Sequence, residues 1–243
     1  MPDFLIFQLY GNLSSWGTIA VGENRPIQPY PTKSAINGLL GAALGLRRDQ
    51  DKIHLQLNQH YGTAVCVQLS GELLRDYHTV QTPEGNKGWY SRKDELTFDP
   101  SKLKTLLTKR DYQMDAFYLI AVWQKKIASE KAPYTLKELQ KTLQKPVFTT
   151  SLGRKSCPPC LPYFPHIIQN KTLKSAYSDY PLPTEFKYYF KKGALMTWHW
   201  ETDLSEQESG LTYSMVYPRR DQIKSRKRWQ FANRDEYYYA ERR

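Results

Sequence analysis

The chain has 243 residues, with 35 Lys+Arg against 24 Asp+Glu and a formal charge of +11. That length holds one large or two small domains with a buried core, and the cationic excess makes a polyanion the natural partner. No apolar run is long enough to span a bilayer, the short apolar N-terminus carries Asp3 and is too brief for a signal peptide, and three cysteines argue against a disulfide scaffold; the expectation is a cytoplasmic protein that engages no membrane.

Phe4–Tyr10 is an apolar run ended by Gly11 and reads as a buried strand. A loop containing Trp16, Gly17 and Arg25 leads to a helix predicted over Thr32–Leu46. Thr32 is its N-cap, and Lys33 and Ser34 fall in the first turn. A lysine there opposes the helix dipole, so a neighbouring anion would explain it, and phosphate is the usual one. Asn37 lies one turn further on. Gly38, Gly41 and Gly45 share a helical face; each costs about 1 kcal/mol against alanine, which implies close backbone approach along that face. Tight packing on a sheet would account for the glycines but not for the Thr32-Lys33-Ser34 start.

Further along, Thr63–Leu69 reads as a strand turned by Gly71, Arg75–Arg110 as a polar and basic excursion, and Met114–Trp123 as a strand. A helix is predicted over Pro133–Leu143, and Val147–Thr150 as a fourth strand. The order β-α-β-β-α-β is the ferredoxin-like pattern. The fold class is therefore α+β, a ferredoxin-like (RRM/RAMP-type) βαββαβ domain over residues 1–165 with an extended hairpin at about 75–113. Beyond Pro165, Phe186–Trp200 and Leu211–Tyr217 look like strands joined by the acidic turn Asp203–Glu208. With no repeat or low-complexity linker, residues 166–243 are expected as a β-rich extension packed on the first domain.

Several constellations bear on chemistry. In Leu152–Cys160, Gly153 frees backbone N–H groups beside Arg154, Lys155 and Ser156, which suits phosphate. The spacing is not that of a Walker A loop, and a solvated basic turn is the plain alternative. Cys157 and Cys160 are flanked by prolines, which disfavours the helix N-terminus a redox pair uses. Together with His166 they supply three zinc ligands where four are needed, so structural thiols are expected, with no metal and no cofactor. The excursion interleaves Arg75, Tyr77, His78, Lys87, Trp89 and Arg110, cations and rings that suit single-stranded nucleic acid; a charged hairpin touching a protein partner is the alternative. The last segment, Tyr217–Arg243, mixes nine cations and four acids with Trp229, Phe231 and Tyr237–Tyr239, which suits a second RNA contact or a basic edge with apolar anchors. The five histidines are scattered, and the one catalytic arrangement open to them is His78 as a base beside Tyr77 in a metal-independent ribonuclease.

The first strand with Gly11–Gly17, the Arg25–Asp49 segment, Leu74–Val80, Leu152–Pro158 and Trp229–Tyr238 occur in an order that resembles the CasD branch of the Cas-five family, RAMP-superfamily subunits of type I-E CRISPR Cascade. The resemblance implies a ferredoxin-like fold with a protruding thumb hairpin, and a non-catalytic subunit that caps the 5′ handle of CRISPR RNA. It implies CasC backbone subunits, the large subunit CasA and target DNA near the guide start as neighbours. Carried onto this sequence, it places Thr32, Lys33 and Ser34 at the handle-binding helix end, Tyr77 and His78 at the opening of the thumb, and Gly153 to Ser156 on the handle. Trp16, Arg25, Asn37, Lys87, Trp89 and Arg110 complete the expected RNA-binding set. A metal-independent CRISPR-RNA processing endoribonuclease is the alternative.

Overall fold

A strand buried on both faces needs no alternation of polar and apolar residues, and the two most apolar runs of this chain are such strands. They lie side by side in a seven-stranded sheet of the computed structural model, which describes residues 1–83, 91, 93–94, 97, 99, 103–126, 131–183 and 193–242. In chain order the described strands are β1 (Asp3–Tyr10), the short pieces β2 (Leu13–Ser14), β3 (Trp16–Gly17), β4 (Asn24–Arg25) and β5 (Ile27–Gln28), then β6 (Tyr61–Leu69), β7 (Glu72–Pro83), β8 (Leu103–Met114), β9 (Phe117–Gln124), β10 (His166–Gln169), β11 (Leu195–Glu201), β12 (Met215–Ser225) and β13 (Gln230–Arg242). The helices are α1 (Lys33–Ala43), α2 (Asp51–His60), α3 (Leu136–Gln144), α4 (Leu173–Ser178) and α5 (Glu206–Ser209). No helix among the described residues is long and apolar enough to cross a membrane.

The large sheet runs β10-β1-β9-β6-β11-β13-β12, with every neighbouring pair antiparallel. β1 sends Leu5, Phe7 and Leu9 to one face, where Ile36, Leu39 and Leu40 of α1 and Leu139 and Leu143 of α3 cover them. Phe4 and Ile6 point to the other face and join Leu173, Ala176 and Tyr177 of α4 with Trp198 and Trp200 of β11. β9 divides in the same way, Tyr118, Ile120 and Val122 against Phe117, Leu119, Ala121 and Trp123.

Helix α1 begins where predicted, with the Thr32 hydroxyl accepting from the Ala35 N–H at 3.2 Å. It ends in a Schellman motif: Gly45 takes φ +74°, its N–H reaches the Ala42 carbonyl at 3.1 Å, and the Leu46 N–H reaches Gly41 at 2.8 Å. The Val147 and Phe148 N–H groups then bond the Ala43 and Ala42 carbonyls at 3.0 and 3.1 Å. Val147–Thr150 is thus not the expected fourth strand; it closes the carbonyl end of α1, whose last acceptors need donors. The strand beside β1 is instead β10.

Other expected bounds shift for local reasons. Met114 belongs to β8, because Asp115 turns the chain at φ +51° before β9 starts. The strand expected from Leu211 begins at Met215 and continues to Ser225. Of the strand expected over Phe186–Trp200, Leu195–Trp200 lies in β11, and residues 184–192 fall outside the described set. The acidic turn leads into α5, which a Ser205/Glu208 capping box starts.

β6 and β9 pair directly, and the β7–β8 hairpin is an excursion between them. It leaves the sheet at Gly71, φ +66°, where a Cβ would lie 2.0 Å from the Met114 carbonyl oxygen, so only glycine fits this crossing. Strands of 12 residues extend the hairpin by about 40 Å. At its base β8 also pairs with β2 and, in parallel, with β4.

Candidate nucleic-acid interface

Lys33 is 2% exposed, and its ammonium lies 2.7 Å from Glu201 Oε2. Glu201 also accepts from Lys125 Nζ at 2.5 Å and from the Thr63 N–H and hydroxyl at 2.9 and 3.0 Å. The Lys33 main-chain N–H donates to Asp221 Oδ2 at 2.8 Å. The anions facing this helix start are therefore two carboxylates of the protein itself. Burial lowers the Lys33 pKa to about 8 against the pull of Glu201. Burial also works to raise the Glu201 pKa, but the Lys33 and Lys125 charges overcome it and hold the carboxyl below its ordinary range.

The same network fastens the β12–β13 hairpin across the start of α1. Arg234 donates twice to Asp221, at 2.6 and 3.0 Å, and once to Glu236 at 2.5 Å. The Tyr30 hydroxyl donates to Glu236 at 2.7 Å, and its ring stacks on His199 with centroids 3.6 Å apart. Burial, then the charges of Arg219 and Arg234, push the His199 pKa down to about 3, so this imidazole is neutral at physiological pH.

Between the hairpin and α1 opens a groove of about 1240 Å³. One side is built from the Ser15–Ile19 loop, Thr32 and Ser34 at the helix start, Gly38 along the helix, and the Gly153–Arg154 turn. The other side is the hairpin, with Arg219, Arg220, Lys224, Arg226, Trp229 and Phe231. With Arg154 these give five cations in the lining against one acid, Asp221, which is already paired with Arg234. The glycine turn is pressed onto the loop: Gly153 has φ +92°, and a Cβ there would lie 1.9 Å from the Ser15 carbonyl oxygen. Arg154 donates to the Asp111 and Arg25 carbonyls, both at 3.1 Å, and its guanidinium lies 4.8 Å from the Tyr112 ring centre.

Thirteen of the fifteen expected RNA-binding residues are described, and they fall into five places. Trp16, Thr32, Ser34, Gly153 and Arg154 line the groove, Trp16 being also a core side chain edge-on to Tyr118. Arg25 and Arg110 are register partners at the base of the β7–β8 hairpin, beside Arg154. Tyr77 and His78 are exposed on β7, with His78 Nδ1 2.9 Å from Asp76. Lys155 and Ser156 are exposed on the turn outside the groove lining. Lys33 and Asn37 are buried away from it, Asn37 donating to Asn58 at 3.3 Å, and Lys87 and Trp89 lie outside the described residues. The residues missing from the expected set are Arg219, Arg220, Lys224, Arg226 and Trp229. Their cationic, aromatic stretch is visible in the sequence, but its seat opposite α1 is not.

Cys157 is buried in the turn and its thiol pKa is pushed up by burial, whereas Cys160 is exposed with Sγ 3.7 Å from Asn12 Oδ1. Among the described residues no group of three His, Cys, Asp or Glu is placed to hold a metal ion. The groove can grip phosphates and accommodate bases; within its lining the titratable groups are cations and the paired Asp221.

The architecture, mixed α/β with mainly antiparallel sheets, recurs in known proteins. A family model described as CRISPR-associated protein (Cas_Cas5) matches residues 4–235. The CRISPR system Cascade subunit CasD of Escherichia coli (strain K12) is 33% identical over 189 residues, which cover 74% of this chain and 78% of that protein. A chain of a CRISPR RNA-guided surveillance complex superposes with a TM-score of 0.64 at 19% identity, over 98% of this chain and 90% of that one, and shows a shared fold. A crystal structure of a Cas protein gives 0.61 at 26% identity, over 98% and 94%. On the family match and the identity to CasD, this chain belongs to the CRISPR-associated Cas_Cas5 family.

Proposed function

We propose that this protein is a CasD-type subunit of a type I-E CRISPR Cascade, a non-catalytic scaffold that caps the 5′ handle of CRISPR RNA and helps assemble the complex for target DNA recognition. The observation that carries this reading is the groove: a helix start, a glycine turn and a cationic hairpin line one cleft of about 1240 Å³. Phosphate contacts there would fix the handle, and aromatic side chains would take unpaired bases. We read the order β10-β1-β9-β6, with α1 and α3 on one face, as the ferredoxin-like RAMP domain expected over residues 1–165, carried on to residue 169 so that β10 is its outer strand. Residues beyond form the β-rich extension, whose hairpin supplies half of the groove. The β7–β8 excursion is read as the thumb, with Tyr77 and His78 near its base. Its position would let it meet target DNA near the guide start, and other faces would meet CasC and CasA subunits.

Cross-linking tests this reading. Repeat RNA carrying 4-thiouridine at handle positions, irradiated with the full-length protein, is expected to mark peptides spanning residues 15–19, 151–156 and 217–231. Adducts confined to other surfaces would overturn the groove assignment.

A further inference from the structure

At the tip of the β12–β13 hairpin, two guanidiniums are held on one indole. Arg48 lies 4.4 Å and Arg226 4.5 Å from the Trp229 ring centre. Each contact is favourable by itself, because a cation is drawn to the electron-rich ring face. Together they bring two like charges close, which is not. Burial and the Arg48 charge both disfavour the Arg226 cation. Asp51, an acid of the same corner, accepts from the Ser225 hydroxyl at 2.6 Å and the Lys227 N–H at 2.8 Å. Arg48 is anchored by the Arg226 and Lys227 carbonyls at 3.3 and 3.5 Å.

The surroundings are shaped to hold this arrangement. Trp229 is 52% exposed and has φ +52°, a backbone conformation that a bulky side chain rarely takes. Gly38 supplies the room on the opposite wall: a Cβ there would lie 2.6 Å from Arg226 Nη2. Gly38 thus leaves space for a cation over the α1 backbone, inside the groove. An anion bound to Arg226 from the groove would make a charge-assisted pair there and offset the Arg48 charge behind it.

We propose that Arg226, carried on Trp229, admitted by Gly38 and backed by the Arg48 charge, forms a phosphate clamp for single-stranded RNA at the hairpin end of the groove. The inference rests on the reading of the groove as an RNA site and assigns to it one gripping point that the sequence did not single out.

The test is the salt dependence of binding between full-length protein and labelled single-stranded repeat RNA. Arg48→Gln/Arg226→Gln is expected to flatten the log–log slope by about 0.7 per lost phosphate contact, which is about a fivefold loss of affinity per contact at 0.1 M salt. Gly38→Ala is expected to weaken binding as Arg226→Gln does, and to add nothing when combined with it, since both remove the same guanidinium from the groove. Trp229→Gly fits the backbone turn but removes the platform, and should flatten the slope while the melting transition stays cooperative. An unchanged slope in the double variant, with wild-type protein binding RNA, would remove the clamp and leave the groove reading standing. Wild-type protein that binds no RNA would overturn both.

Discussion

Glu201 and Lys33 are partners in one buried pair, yet removing them should have unequal effects. Glu201→Gln leaves Lys33 and Lys125 without their shared carboxylate, and Lys33 cannot reach water from a site 2% exposed. Breaking a buried ion pair in this way costs about 3–5 kcal/mol. Lys33→Met leaves Glu201 with the Lys125 ammonium and both Thr63 donors. It also removes a cation that burial already disfavours, so the loss at pH 7 should stay within about 1 kcal/mol. The pH dependence carries the same signature. Unfolded Lys33 keeps its proton up to about 10.5, whereas folded Lys33 releases it near 8. The unfolded state therefore binds more protons across that window, and wild-type stability should rise through it relative to Lys33→Met, by at most about 1.4 kcal/mol per pH unit. Below pH 8 the penalty on the wild type is complete, and above 10.5 it has vanished. Urea denaturation followed by tryptophan fluorescence, with unchanged m values, measures all three proteins. A Lys33→Met variant as unstable as Glu201→Gln would refute the triad. So would a flattened RNA salt slope in Lys33→Met, because it would mean that the ammonium reaches phosphate.

Gly153→Ala forces a side chain into a left-handed turn 1.9 Å from the Ser15 carbonyl oxygen; a loss of about 2–4 kcal/mol is expected, with weaker RNA binding as the turn lifts, and a variant as stable as wild type would contradict the packing of turn on loop. Tyr30→Phe removes one donor from Glu236, which keeps Arg234 and Arg219; thermal melting should show about 1–2 kcal/mol lost, with the RNA salt slope intact. Arg220→Gln and Lys224→Gln, on the hairpin wall, should each flatten that slope by about 0.7 with no change in melting temperature. Thr135→Ala breaks the capping box of α3, which does not line the groove, and about 1 kcal/mol should be lost with RNA binding unaffected.

The legible parts of this fold are those whose pattern is local. β1 and β9 announce themselves as apolar runs because both of their faces are buried; α1 is marked by Thr32 at its start, and α3 by Pro133 before it, although its cap is Thr135. Helix α2 escaped because its inward face carries His54, Asn58 and His60 beside Leu57, so its apolar period is weak. β10 is four residues long, and β12 and β13 are polar strands held by cross-strand pairing and the buried ion network. The site was half legible. The Thr32-Lys33-Ser34 start pointed to an anion, but the carboxylates that answer it are 168 and 188 positions away. The Trp16 loop and the Gly153 turn stood apart in sequence, and what joins them is a hydrogen bond from the Ser15 N–H to the Leu152 carbonyl at 2.9 Å.

The most direct test of the scaffold reading is to incubate purified full-length protein with labelled repeat RNA in EDTA and run it on native and denaturing gels side by side. Intact RNA, shifted at lower protein concentration when it carries the 5′ handle than when that segment is scrambled at equal length, is the predicted result. A discrete cut at the handle boundary, or equal binding of handle and scrambled RNA, would contradict it.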